Sequence, residues 1–153
     1  MSEEPAGELP LAALLARGVA RALAQRGFAT LAEVSLANGR RADVLGLGRG
    51  GELVIVEVKS SVQDFRSDGK WRDYREFCDR FYFAVPAAFP RGLIPEDCGL
   101  IVADGFGAAI LREAPAALLA PARRKAMTLR FAILGSDRLR RLLDPESGAP
   151  EPL

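Results

Sequence analysis

The hydrophobic positions change period several times along the chain. From Leu9 to Arg26, apolar residues at Leu11, Leu14, Leu15, Val19, Ala22 and Leu23 keep helical spacing. Pro10 suits a first helical position and Gly27 the residue past the end. The period then shortens. Phe28 to Ala37 predicts a strand and Asn38-Gly39 a two-residue hairpin turn. The runs Val44 to Leu47 and Leu53 to Val58 predict two more strands around Gly48, Gly50 and Gly51. Ser60 to Gly69 is polar and reads as a connection, after which Lys70 to Arg80 regains helical spacing with Trp71, Tyr74 and Cys78 on one stripe. Phe81 to Val85 predicts a strand stopped by Pro86, and Ala87 to Asp97, with Pro90 and Pro95, a loop. Two strands, Leu100 to Ala103 and Phe106 to Leu111, flank the turn Asp104-Gly105. Ala122 to Leu134 predicts a helix, and Gly135-Ser136-Asp137 a break and fresh cap before a short basic helix to Leu143.

The chain of 153 residues, 49% hydrophobic, is one domain's worth of α/β protein. We place it at residues 9–143, with a disordered start at 1–8 and a flexible Pro-containing tail at 144–153. No apolar run has the length of a membrane span, and Met1-Ser2-Glu3-Glu4 does not open a signal peptide. There is no histidine, which excludes histidine-based catalysis. Cys78 and Cys98 have no CxxC spacing, so a zinc site is disfavoured and free buried thiols in a reducing cytoplasm are expected. Net charge is only +1, so a nucleic-acid partner must meet local clusters: Arg40-Arg41, Lys70 to Arg75, Arg123 to Lys125 and Arg138 to Arg141. Each cluster also fits an ordinary solvated surface.

Three charged residues interrupt the apolar runs, Asp43, Glu57 and Lys59. Buried charges need a partner or a metal. If the glycine turn is the three residues Arg49 to Gly51, Leu47 faces Leu53, Leu45 faces Ile55 and Asp43 faces Glu57. Lys59, two residues past Glu57, then lies on the same sheet face. A two- or four-residue loop would separate the acids onto opposite faces. Apposed carboxylates repel unless a cation shares them, and oxygen ligands suit Mg²⁺ or Mn²⁺. The other reading is a Glu57–Lys59 ion pair on an edge strand.

Asp43 followed by Glu57-Val58-Lys59 resembles the D…(E/D)-x-K signature of the PD-(D/E)xK nuclease superfamily. The wider strings Glu33-Val34-Ser35-Leu36, Gly39 to Asp43, Ile55 to Arg66, Lys70-Trp71, Asp73-Tyr74 and Cys78 to Phe81 resemble the MmcB-type bacterial DNA repair proteins, a branch of that superfamily. Ala42 stands where the superfamily often has proline. The resemblance implies a restriction-endonuclease-like αβββαβ core, with a mixed sheet flanked by helices and extra C-terminal strands and helices. It implies Mg²⁺- or Mn²⁺-dependent phosphodiester hydrolysis in DNA repair, and a cytoplasmic, nucleoid-associated location. Asp43, Glu57 and the Val58 main-chain carbonyl would be metal ligands, Lys59 would act on water and phosphate, and Glu33 would be an auxiliary acid. By the two-residue turn, however, Glu33 pairs with Val44 and points away; a bulge or three-residue loop would bring it back. Arg41, Lys70, Trp71, Arg72 and Tyr74 are the candidate DNA contacts, although for Trp71 and Tyr74 core packing against the sheet is the favoured reading and stacking on a base the alternative. A repair-protein partner is a further expectation, and oligomeric state is not readable. The competing class is a non-catalytic DNA- or protein-binding module on the same fold.

Overall fold

A computed structural model describes residues 9–148. The expected disorder at 1–8 and the last part of the tail, 149–153, lie outside the described residues. Six strands form one mixed sheet in sequence order: β1 (Phe28–Ser35), β2 (Arg41–Gly48), β3 (Leu53–Val58), β4 (Arg80–Val85), β5 (Gly99–Ala103) and β6 (Ala108–Arg112). The first three are antiparallel, β4 and β5 run parallel to β3, and β6 returns antiparallel. Helix α1 (Leu11–Gln25) precedes them, α2 (Val62–Ser67) and a 3-10 segment (Trp71–Phe77) fill the β3–β4 crossover, and α3 (Pro121–Leu143) follows. The fold is α/β with the expected αβββαβ order.

The sheet is covered on both sides, as its parallel centre requires. Leu15, Val19 and Leu23 of α1 pack against Val44, Val54, Val56, Tyr82 and Ala84. The opposite face, with Leu45, Leu53, Ile55, Phe81 and Phe83, receives Trp71, Tyr74 and Phe77 together with Met127 and Leu134 of α3. Aromatic rings dominate that side: Trp71 stacks on Phe81 with centroids 5.4 Å apart, and Phe65 of α2 meets Phe83 edge-on at 5.3 Å. Each such pair adds roughly 0.5–1.5 kcal/mol beyond its area.

Trp71 and Tyr74 are therefore core residues, 4% exposed each, and the reading of them as base-stacking platforms is corrected. The β2–β3 turn is three residues long: the Gly48 amide donates to the Glu52 carbonyl at 2.8 Å, and Gly51 takes φ +91°, which a side chain would oppose. The β1–β2 turn is also three residues, not two. Leu36 N–H donates to Arg40 C=O at 2.7 Å, and the Asn38 side chain accepts the Arg40 amide at 3.0 Å. The break expected at Gly135 is absent, because α3 lays Gly135 against Leu31 and continues to Leu143. Beyond it, Pro145–Ser147 forms a short 3-10 turn held by Arg140 to the Ser147 carbonyl at 2.8 Å, so this part of the tail is anchored.

A buried ionic knot joins α3 to the sheet. Asp79, 3% exposed, accepts the amides of Leu53 (2.8 Å) and Leu119 (3.0 Å) and the Arg124 guanidinium (2.8 Å). Burial pushes its carboxyl upward, but these donors outweigh that and hold it below the ordinary value.

Candidate metal centre

The acidic residues stand where two ladders fail. On β2, Ala42 and Leu45 both belong to the cluster under α3, as do Leu31 and Val34 on β1. Regular alternation sends residues three apart to opposite faces, so both strands are irregular between these positions. Glu33 and Asp43 fall opposite each other there and drop out of the ladder: Ala32 pairs with Val44 and Val34 with Ala42. The three-residue turn thus brings Glu33 across from Asp43, correcting the pairing of Glu33 with Val44. Glu33 sits at φ +51°, the single non-glycine residue in that region among those described. Such strain costs about 1–3 kcal/mol and gathers at functional sites. Arg138 of α3 holds it by donating to the carbonyls of Ala32 and, at 2.8 Å, of Glu33.

Asp43 and Glu57 answer the broken ladder with their own side chains. The Asp43 amide donates to Glu57 Oε1 at 3.0 Å, and the Val58 amide to Asp43 Oδ2 at 2.8 Å. The β2–β3 register, Val44 with Val56 through Leu47 with Leu53, puts Asp43 across from Glu57. Burial, then the negative charge of Asp43, pushes the Glu57 carboxyl up to about 8. Burial also raises Asp43, with the Val58 amide and Lys59 pulling the other way. Both acids are thus shifted toward the protonated form, a tendency that a bound cation would oppose.

Lys59 is buried at the end of β3, where its amide still joins β4 through Ala84 C=O at 2.9 Å. Its ammonium lies 3.1 Å from Asp68 and 3.9 Å from Asp64. Both acids belong to the α2 region, whose N-cap is Ser61. Asp68 also faces Arg40 at 3.8 Å. In the sequence these two acids stand only within the polar connection Ser60 to Gly69. Their sequence signal is the Ser61-x-x-Asp64 cap, which marks a helix but not a lysine clamp.

Of the remaining candidates, Glu33 is exposed and 3.9 Å from Arg41. Arg72 is exposed but shares Asp97 with Arg75, at 3.2 and 2.9 Å, while stacking over Trp71 at 4.3 Å. Lys70 is exposed. Glu33, Asp43 and Val58 border a cleft of about 570 Å³ between α1 and the first strands, walled by Ala12, Ala13 and Ala16.

The donors suit a hard divalent ion in kind: two carboxylates on adjacent strands, each with one oxygen tied to a main-chain amide. Val58, whose N–H points at Asp43, would be the source of a third oxygen, its main-chain carbonyl. Among the described residues no third acid, cysteine or histidine joins them to make a cluster of three. No described helix is long and apolar enough to cross a membrane.

A solved structure of a protein of unknown function from Silicibacter pomeroyi is similar, with 46% identity over 94% of this chain and 98% of that one and a TM-score of 0.91. A repair endonuclease from Pyrococcus abyssi shares 20% identity over 60% of this chain and 42% of that one, with a TM-score of 0.37, a likeness too slight to bear on activity. No curated protein matches. A family model described as DNA repair protein MmcB-like matches residues 5–146, and the chain belongs to that family.

Proposed function

We propose that this DNA repair family member is a Mg²⁺- or Mn²⁺-dependent nuclease that hydrolyses phosphodiester bonds in DNA. The observation that carries the reading is the Asp43–Glu57 pair, a half-buried and a buried acid on adjacent strands, each accepting a main-chain amide of the opposite strand. Setting two such acids side by side away from water without a cation is costly.

Asp43, Glu57 and the Val58 carbonyl are the residues that would hold the ion. Bound there, a divalent ion supplies Lewis-acid polarisation of a phosphoryl oxygen and a more acidic water. The chain's own contribution is positional. The crossed hydrogen bonds Asp43 N–H to Glu57 and Val58 N–H to Asp43 fix both carboxylates relative to the backbone. Lys59 brings a positive charge to the same end of β3, oriented by Asp68, and acts on the attacking water and the charge that develops on phosphate. Arg41 and Lys70, both exposed, are candidate contacts for phosphates flanking the scissile one. Glu33 borders the cleft as an auxiliary acid. A cytoplasmic, nucleoid-associated location follows from the same reading.

One observation favours a second reading, a nucleic-acid- or protein-binding module without catalysis: Lys59 is already neutralised by Asp68 and Asp64. The test is incubation with labelled single-stranded, duplex and branched DNA and with RNA, in Mg²⁺, in Mn²⁺ and in chelator. Cleavage of a DNA that requires metal supports the nuclease. Tight binding of the panel without cleavage supports the module.

A further inference from the structure

Helix α3 is built the wrong way round for a solvated helix. Its inner face meets the protein through Met127, Phe131 and Leu134, yet its outer face is apolar as well. Leu129, Ile133 and Leu139 are 53–60% exposed, and Leu142 and Leu143 are 78–80% exposed. From Ala126 to Leu143 the most exposed residues carry no charge. The stripe covers about 27 Å at 1.5 Å per residue, one helix wide and five turns long. An apolar surface of this extent signals an interaction.

The charges around the stripe say which kind. At 100° per residue, Lys125 falls on it at one end and Arg130 lies on one flank, while Arg140 and Arg141 are taken up by Asp137 and, for Arg140, by Ser147. Of the seven Lys and Arg of the helix, Arg124 pairs with Asp79 and Arg140 and Arg141 with Asp137, so the charge it turns outward is positive. A second copy of α3 would set like charge against like charge, which disfavours self-association through this face. A membrane surface is also a poor match, because the stripe has no Trp or exposed Phe to sit among headgroups.

We infer that the outer face of α3 docks an acidic amphipathic helix of a partner protein, leucine-type side chains in line with Leu129, Ile133 and Leu139 and carboxylates toward Lys125 and Arg130. This is the helix-on-helix mode of recognition, with apolar anchors giving affinity and charge giving partner choice. The inference does not depend on hydrolysis. It has a consequence for the site, because Arg138 on the inner side of the same helix holds the carbonyls of Ala32 and Glu33.

The test is fluorescence anisotropy of the full chain with a labelled model peptide of about 20 residues, Leu on one face and Glu beside it, against the same peptide with Lys for Glu. The acidic peptide should bind saturably and more weakly as salt rises, and the basic one should not bind. Leu129→Gln with Ile133→Gln should weaken binding at least about tenfold with an unchanged circular-dichroism melt. If that variant misfolds, Lys125→Glu should weaken the acidic peptide alone. Equal binding of both peptides, or no loss in the variants, overturns the proposal. So does concentration-dependent dimerisation that Leu129→Gln with Ile133→Gln removes, which would make the occupant a second copy. Uptake on phosphatidylglycerol vesicles without peptide binding would make it a membrane.

Discussion

Asp43 and Glu57 hold one another through the backbone: the Asp43 amide donates to Glu57 Oε1 at 3.0 Å while the Asp43 carboxylate takes the Val58 amide at 2.8 Å. Each acid replaces a ladder bond that the irregular strand no longer makes, so the break in the sheet and the placement of the acids are one feature. Neither acid can leave without exposing a backbone group.

The pair sets the pH dependence of the metal-free protein. Burial, then Asp43, lifts Glu57 to about 8, and burial lifts Asp43 in the same direction. An unfolded Glu releases its proton near 4.3, so between about pH 5 and 8 the folded state binds more protons than the unfolded one, and stability falls as pH rises. Melts in chelator should show Tm declining across this window, and Glu57→Gln should flatten the decline. A wild-type Tm that is level or rising from pH 5 to 8 would contradict the burial of the pair.

Divalent metal should reverse that loss. Mg²⁺ or Mn²⁺ bound only by the folded state raises Tm by mass action, by about 3–6 °C for each tenfold excess over Kd. The effect should grow with pH, since protons compete for the same oxygens. Asp43→Asn keeps an acceptor for the Val58 amide but removes the charge, so it should abolish the metal response without unfolding the chain. A response of wild-type size in Asp43→Asn, read by differential scanning fluorimetry, would put the ion elsewhere.

The β2–β3 register was legible only on the assumption of an odd loop, which Gly48, Gly50 and Gly51 permit without requiring; given that, the alternation from Leu53 to Glu57 does the rest. The β1–β2 register was not. Asn38-Gly39 is a strong two-residue signal, yet the Asn38 side chain bonds the Arg40 amide and draws Ala37 into the loop, shifting every pair by one. That single residue decides whether Glu33 reaches Asp43. The stripe Trp71–Tyr74–Cys78 could be read, but not which way it faced; burial against Phe81 and Phe83 is a tertiary fact. Asp64 and Asp68 were unreadable as partners of Lys59, because a six-residue helix carries too little apolar period to reveal its packing. Gly135-Ser136-Asp137 carries break signals that packing on Leu31 overrides.

One fold contact has no chemical role and is testable on its own. A Cβ on Gly18 would clash with the Asp104 carbonyl oxygen and stand 2.5 Å from that of Gly107, where α1 crosses the β5–β6 turn. Backbone cannot move aside as a side chain can, so Gly18→Ala should cost about 1–3 kcal/mol or more and lower Tm by several degrees. Gly92→Ala meets nothing within 4 Å and serves as the control. Equal melts for the two variants would mean that α1 does not sit this close.

Lys59→Met separates chemistry from binding and from folding. The ammonium lies 3.1 Å from Asp68 in a buried setting, so its removal leaves Asp68 with the Lys70 amide at 3.3 Å and, as its remaining cation, Arg40 at 3.8 Å. The single variant should fold with a lower Tm, since half of a buried pair is gone. Lys59→Met with Asp68→Asn removes the stranded charge and should recover much of that Tm. If Lys59 serves only the fold, activity should return with stability. If it acts on the attacking water and the phosphate, single-turnover cleavage should stay down roughly a hundredfold or more in both variants, the scale of losing one preorganised charge in a transition state. DNA affinity at matched salt should change little, because one phosphate contact among several is a small share of the total. Metal should still raise Tm through Asp43 and Glu57, and more strongly than in wild type with a nearby positive charge gone. Wild-type cleavage rates in the double variant would remove Lys59 from the reaction and leave it as the partner of α2.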